Sequence, residues 1–336
     1  MNKDFLFLSG RISALESKLV TFAQLERMVM AKDPEAAFRI LVELQYADQF
    51  DDSTKAQDFL KIINQGLLET KEMIMDGTDS DESFEFIWKS FDLNNLKRAL
   101  KIKFLDEETE ITDFSEDNGF NWLGSFDQKD LQEIVFSEEN SVEVPVEYQE
   151  ALGKSREIFE KNENFQEVEL ALDKAHFDFL HRISKGKEVK FLKNWLEKMA
   201  DTTNIKTAAR NLLLFERKIS REMFLPHGKV SFEDLESVDS IESAEELFKK
   251  YELYSLEGVF KSDDSAESNI LNIERAMDRF IDDFLQIAKS DALGGLETPL
   301  VYLHRRIKNA RKIKFVMMAK FYGMDPEKIY ETLKNI

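Results

Sequence analysis

Asp92-Leu93-Asn94-Asn95-Leu96-Lys97-Arg98-Ala99-Leu100-Lys101 sets a pattern that returns twice further along the chain. It comes back as Asp201-Thr202-Thr203-Asn204-Ile205-Lys206-Thr207-Ala208-Ala209-Arg210 and again as Leu303-His304-Arg305-Arg306-Ile307-Lys308-Asn309-Ala310-Arg311-Lys312. The shared core is an aliphatic residue, a lysine, any residue, an alanine, any residue, then lysine or arginine. A second signal precedes each copy: Thr21-Phe22-Ala23-Gln24, Ser125-Phe126-Asp127-Gln128 and Ser231-Phe232-Glu233-Asp234. In the first two, a hydroxyl can accept from an early backbone N–H while the glutamine reaches back to the cap, a reciprocal helix start. The third has aspartate there, so a weaker reciprocal bond is expected. The Phe after each cap is placed to seal the first turn onto apolar surface. The separations from Thr21 to Lys97, Ser125 to Lys206 and Ser231 to Lys308 are nearly equal. Two signals in constant order and near-constant spacing point to three diverged copies, with boundaries at 1–117, 118–226 and 227–336. Chance similarity among helical segments is the competing explanation, because helix-start signals are degenerate.

The rest of the chain reads as helix, which makes the fold class all-α. Asp33-Pro34-Glu35 and Asp325-Pro326-Glu327 each put a cap before a proline at the first helical position, and Thr298-Pro299 does the same before the longest clear helix. In that helix Leu300, Leu303, Ile307, Ala310 and Met317 fall near one stripe. Residues 159–181 and 270–289 also read as amphipathic helices, and Ile273-Glu274-Arg275-Ala276 echoes Leu172-Asp173-Lys174-Ala175. Two candidate strands, Val142 to Val146 and Lys187 to Lys190, are too short to make a sheet. Asp106 to Asn118 and Lys261 to Ser268 are expected as acidic linkers, with a further break at Gly294-Gly295.

Composition narrows the function classes. The 336 residues carry a formal net charge of -20, which disfavours nucleic acid as a partner, since phosphate would be repelled. Scarce Pro (5) and Gly (12) agree with long helices and short connections. There is no Cys, so disulfides, thiolate zinc sites and cysteine nucleophiles are excluded. No apolar run reaches the ~18–20 residues that span a bilayer. Phe5-Leu6-Phe7-Leu8, behind Asp4, is too short for a signal-peptide core. A soluble body that meets a membrane only through a partner is expected.

The chemistry of the common enzyme classes is missing from the pattern. Neither a phosphate-cradling G-x-x-x-x-G-K-[ST] nor a G-x-G-x-x-G occurs, and Ser184-Lys185-Gly186-Lys187 lacks the flanking residues of the former. His176 and His181 are not at the i, i+4 spacing of a helical zinc pair, and no nucleophile elbow is present. No catalytic residue, metal ligand or cofactor site is assigned. Charge, by contrast, is sorted. From Thr298 to Met324 there is no acidic residue, but Arg305, Arg306, Lys308, Arg311, Lys312, Lys314 and Lys320 are basic. Lys97, Arg98, Lys101 and Lys103 form a smaller cluster. Two explanations stand side by side: each basic helix packs beside an acidic segment of its own chain, or the three face a shared partner surface.

The order of these segments resembles a known family. The matching stretches are Arg11-Ile12-Ser13-Ala14-Leu15-Glu16-Ser17-Lys18-Leu19-Val20, Phe91 to Lys97, Asp201 to Arg210, and Ile307 to Arg311 followed by Gly323-Met324-Asp325-Pro326-Glu327-Lys328-Ile329. Together they resemble the C subunit of archaeal and bacterial A/V-type ATPases, itself similar to the d subunit of eukaryotic vacuolar ATPases. The resemblance covers essentially the whole chain. Departures are Arg305-Arg306 where the family usually has an acidic residue, Lys101 where Arg is commoner, and a poor match from Asp106 to Val146. The resemblance implies three pseudo-symmetric helical-bundle units forming a funnel-like body, peripheral on the cytoplasmic face of a membrane rotor ring. The central shaft, made of the D and F subunits, would sit in the funnel. It implies a non-catalytic coupler in a proton- or sodium-translocating rotary ATPase, with no cofactor, metal or nucleic acid. On the repeat logic, the shaft-facing set is Lys97, Arg98, Lys206, Arg210, Lys308 and Arg311. A helical-repeat scaffold for another protein is the alternative.

Overall fold

A computed structural model describes residues 5–44, 46, 54–78, 82–105, 111, 114–115, 119–137, 141–185, 190–261, 263–292 and 294–334. Among these residues the chain is all-α. The helices are α1 (Leu6–Glu16), α2 (Phe22–Met30), α3 (Pro34–Glu43), α4 (Phe59–Gly77), α5 (Glu85–Leu105), α6 (Gln128–Phe136) and α7 (Val146–Asn162). They continue as α8 (Phe165–Lys185), α9 (Lys190–Phe215), α10 (Phe232–Glu236), α11 (Ile241–Lys250), α12 (Ala266–Asp291), α13 (Glu297–Phe321) and α14 (Pro326–Leu333). Single 3-10 turns lie at Ala56–Asp58, Glu82–Phe84 and Tyr254–Leu256. Residues 142–145 are irregular and Val146 opens α7 behind Pro145, a residue that cannot donate to a ladder. Of the other candidate strand, 187–189 lie outside the described residues and Lys190 starts α9. Most of the 106–118 linker also lies outside them.

Several helix starts follow the sequence reading, and three differ from it. Thr21 forms the full reciprocal box: it accepts from the Gln24 N–H at 3.3 Å, and its own N–H donates to Gln24 Oε1 at 2.7 Å. Asp33 accepts from the Ala36 N–H at 2.7 Å, with Pro34 opening the helix. Asp325 accepts from the Glu327 N–H at 2.9 Å, with Pro326 behind it. At the second repeat the cap is Asp127, not Ser125; Asp127 accepts from Lys129 and Asp130. The shift follows from the Ser125 and Phe126 N–H groups being taken by a carboxylate of another helix, described below. At the third, Ser231 accepts from the Asp234 N–H at 3.2 Å, but its own N–H donates to Tyr251 Oη at 3.0 Å. The Asp234 carboxylate accepts from Lys250 and Tyr251 instead, so the return bond is absent rather than weak. Phe126, which lies just before its cap, and Phe232, just after its own, are buried, whereas Phe22 is 42% exposed. α13 begins at Glu297, so Thr298 and Pro299 lie in its first turn, where backbone N–H groups have no intrahelical acceptor and proline costs nothing. The amphipathic run from 159 is broken at Glu163, which takes φ 49° at the end of α7 before α8 begins.

Contacts group the chain into two units, residues 1–84 with 286–336, and residues 85–285. In the first, α13 is the centre, with α1, α2, α3 and α4 packed on it and α14 against α2 and α13. Leu300, Leu303, Ile307, Ala310 and Met317 are buried as the stripe predicted. So are Val301, Tyr302, Ile313 and Val316, because a helix packed by several neighbours buries more than one stripe. In the second unit α8 packs with α5, α7 and α9, while α6 lies on α5 and α10 on α9. Trp195 anchors this core, its ring 4.9 Å from Phe86 and 5.5 Å from Phe191.

Candidate partner interface

The three motif helices, α5, α9 and α13, each carry polar residues on their buried side, and these do one job three times. On α5, Asn95 is fully buried and its amide donates to the Asn121 carbonyl at 2.8 Å and accepts from the Asn121 N–H at 2.8 Å. On α9, Asn204, also fully buried, donates to the Leu225 carbonyl at 2.9 Å and accepts from the Leu225 N–H at 2.8 Å. On α13, half-buried Asn309 donates to the Val20 carbonyl at 2.7 Å and accepts from the Val20 N–H at 3.1 Å. A primary amide offers a donor and an acceptor side by side, so one side chain satisfies both backbone groups of one residue. Each clamped residue lies just ahead of a helix start: Asn121 before α6, Leu225 before α10, Val20 before α2. Each motif helix therefore holds the segment that leads into another helix start: α5 the one before α6, α9 the one before α10, and α13 the one before α2.

In two copies a buried aspartate adds to the clamp. Asp92 Oδ1 accepts from the N–H groups of Ser125 at 2.6 Å and Phe126 at 3.0 Å. Asp201 Oδ1 accepts from the Val230 N–H at 2.9 Å. Both aspartates press on a glycine: a Cβ on Gly124 would fall well inside contact distance of Asp92 Oδ1, and one on Gly228 likewise of Asp201 Oδ1. Asp92 also meets Lys89 Nζ at 2.8 Å. The corresponding Lys198 turns to the Phe280 ring, 4.3 Å away. Burial pushes the Asp201 carboxyl up to about 6, against the hydrogen bonds from Val230 and Lys229. The third motif has Leu303 in place of the aspartate and Arg306 in place of the asparagine; Asn309, one turn on, takes the clamp.

The six cations picked from the repeat lie in different surroundings. Lys97 Nζ meets Asp173 of α8 at 2.6 Å, and Lys206 Nζ meets Asp278 of α12 at 2.6 Å. Arg210 Nε donates to Glu274 of α12 at 2.9 Å. The echoed acidic positions, Asp173 and Glu274, thus serve different cations, Lys97 in one copy and Arg210, one turn further along, in the next. Arg98 lies 3.7 Å from where a Gly119 Cβ would be. Lys308 is half-buried and Arg311 exposed. The carboxylate-paired members realise the first of the two explanations for the sorted charge. The histidines are scattered: His176 is buried with Nδ1 2.6 Å from Tyr148 Oη, while His181 stacks on His227, centroids 3.9 Å apart. An apolar cavity of about 280 Å³ opens beside α9, α10 and α11.

Sequence reasoning misses the clamp residues, although a signal exists. Asp-x-x-Asn recurs at Asp92/Asn95 and Asp201/Asn204, and polar side chains at i, i+3 inside an otherwise apolar helix face mark a buried hydrogen-bonding task.

The family model for the ATP synthase (C/AC39) subunit matches residues 8–332. Over 345 aligned positions the chain is 23% identical to the C subunit of the A-type ATP synthase of Thermococcus kodakarensis and 24% identical to that of Desulfurococcus sp.. Each alignment covers 99% of this chain and 91% of the relative.

Proposed function

The chain belongs to the ATP synthase (C/AC39) subunit family, and from that membership we propose that it is a non-catalytic central-stalk subunit of a rotary A/V-type ATPase, passing torque between the D/F shaft and the membrane rotor ring. The family match over nearly the whole chain carries this reading. The clamps support it mechanically. A torque path fails at its most compliant point, and loops between helices are the soft segments of a helical body. Here three loops that lead into helix starts are each tied to a helix by a pair of hydrogen bonds. The same threefold recurrence supports the division into three copies at 1–117, 118–226 and 227–336.

No helix among the described residues is long and apolar enough to cross a membrane, which fits a peripheral place on the cytoplasmic face. The shaft-facing surface is placed on Lys97, Arg98, Lys206, Arg210, Lys308 and Arg311. Partner carboxylates would share or displace Asp173, Asp278 and Glu274. Such exchange is cheap, because partly exposed pairs are worth only about 0.2–1 kcal/mol each. The test is a charge-reversal series at the six positions, with binding of the purified D/F pair measured at two salt concentrations. Reversal is expected to weaken binding and flatten its salt dependence. Unchanged affinity across the series would refute this surface, and failure to co-purify with other ATPase subunits would refute the family role in favour of a scaffold for a different protein.

A further inference from the structure

Within the second unit, the apolar cavity beside α9, α10 and α11 has a volume of about 280 Å³. Every buried residue that lines it is apolar, Ile205, Ala209, Leu247 and Phe248 among them. Half-buried Leu212, Leu213 and Phe260 stand nearer to solvent. The polar lining is confined to Lys218, Asp239 and Ser240, and the first two are exposed. The hollow is not a fixture of the repeated motif. Ala209 stands where the first copy has Leu100, and Leu100 is 3% exposed, its side chain packed into the core of α5 and its neighbours. An alanine there leaves unfilled what a leucine would occupy. Apolar surface turned to water is unfavourable, and a concave, mostly apolar opening with a few polar groups at its edge is the usual form of a small-molecule site.

We propose that this cavity binds an uncharged, mainly aliphatic molecule with one hydrogen-bond acceptor, its body among the buried side chains and its acceptor at the Lys218 ammonium. The rim selects the class. Ser240 spends both roles of its hydroxyl on Ser243, accepting from the Ser243 N–H at 3.2 Å and donating to Ser243 Oγ at 3.3 Å. Asp239 is tied to the same cap, its N–H donating to Ser243 Oγ at 3.0 Å. Lys218 is the one polar lining side chain outside that cap, and it offers only donors. A carboxylate head would gain from Lys218 but be repelled by Asp239, and an ammonium head would meet the reverse, so neither charge is favoured. A hydroxyl or carbonyl oxygen accepts from Lys218 without that penalty. Size agrees with the class. Apolar hollows of about 150 Å³ take up benzene, so one nearer twice that volume suits a chain of roughly eight to ten carbons. None of the six shaft-facing cations lines the cavity, so the site stands apart from the coupling role.

The test titrates the full chain by calorimetry with octanol, octanoate and octylammonium, which share one chain and differ in the charge of the head, and follows the thermal unfolding midpoint with each. Octanol is expected to bind saturably and raise the midpoint, and the two charged probes to bind several-fold more weakly. Ala209→Leu puts the first copy's residue at the equivalent position. It should weaken octanol about tenfold and leave the midpoint of the free chain unchanged or raised, because leucine fills part of the hollow. Ala208→Phe, at a half-buried lining residue, should weaken octanol as well. Lys218→Met, at an exposed position that leaves the core untouched, should turn the preference towards octylammonium, because Asp239 then stands unopposed. The proposal is overturned by uptake of octanol that does not saturate, by either charged probe binding the unaltered chain as tightly as octanol, by unchanged octanol affinity in both alanine variants, or by an unchanged preference in Lys218→Met.

Discussion

Replacing Asn204 by leucine removes one clamp while keeping the number and branching of the side-chain heavy atoms. Asn204 is fully buried and Leu225 is 4% exposed, so water cannot take over. The Leu225 N–H and carbonyl, now bonded at 2.8 and 2.9 Å, would both be left unsatisfied. An unpaired buried group costs about 1–3 kcal/mol, so the two together predict a loss of about 2–6 kcal/mol. Set against a typical folding stability of about 5–15 kcal/mol, that is enough to shift the midpoint of urea unfolding markedly. Asn204→Asp separates the two bonds. The carboxylate still accepts from the Leu225 N–H, but it faces the Leu225 carbonyl as a second acceptor unless it holds a proton. A proton held in the folded state raises the folded pKa, so Asn204→Asp should recover stability as pH falls and lose it as pH rises through that pKa. The assay is urea unfolding of the full chain at pH 5 and 7, with amide exchange read at Leu225. The reasoning is refuted if Asn204→Leu costs under about 0.5 kcal/mol, within the scatter of surface changes, and leaves the Leu225 amide equally protected. Asn309→Leu should cost less, because half-buried Asn309 leaves Val20 within reach of water.

The glycines under the buried aspartates predict a second cost. Gly124→Ala and Gly228→Ala force Asp92 or Asp201 off its backbone donors and should each lose about 1–3 kcal/mol in thermal unfolding. Gly153→Ala, in the middle of α7 with nothing within 4 Å of the added Cβ, should instead gain about 0.5–1 kcal/mol; equal behaviour of the three would discard the packing account. Burial, helped by the nearby Lys97 charge, pushes the His176 imidazole down to about 3. The unfolded chain then binds the proton more readily, so stability is complete above about pH 6.5 and falls as the pH drops towards 3, by up to about 5 kcal/mol. NMR titration of the His176 ring checks this, and a midpoint near 6.5 in the folded chain would contradict it. Loss of D/F binding on charge reversal at Lys97, Lys206 and Lys308, read in the same two-salt binding assay, is the functional counterpart.

Much of the fold was legible because it is written locally. Thr21 with Gln24, Asp33 with Pro34 and Asp325 with Pro326 are decided within four residues, and the α13 stripe within a few turns. Local reading failed where a distant group intervened. Ser125 looks like a cap, but Asp92 takes its N–H and that of Phe126, so α6 starts two residues later on Asp127. Ser231 loses its return bond because Tyr251 and Lys250 occupy the residues that would make it. The partners of the basic residues were illegible for a similar reason, since a lysine in a repeat carries no mark of whether a carboxylate of the same chain lies beside it.

By itself the sequence determined that this chain is helical, that a motif recurs three times in constant order, and that the whole resembles one ATPase subunit family. Periodicity and capping suffice for that, because helix formation is a matter of neighbours. Only the tertiary structure decided what the motif is for. The hydrogen bonds of Asn95, Asn204 and Asn309 reach 26, 21 and 289 residues along the chain, and no local pattern specifies a partner at those distances. The same holds for Arg306 and Tyr46, which are 260 residues apart and meet only because packing buries both. Burial turns an ordinary amide into a clamp, because it removes the water that would otherwise have satisfied it and its partners.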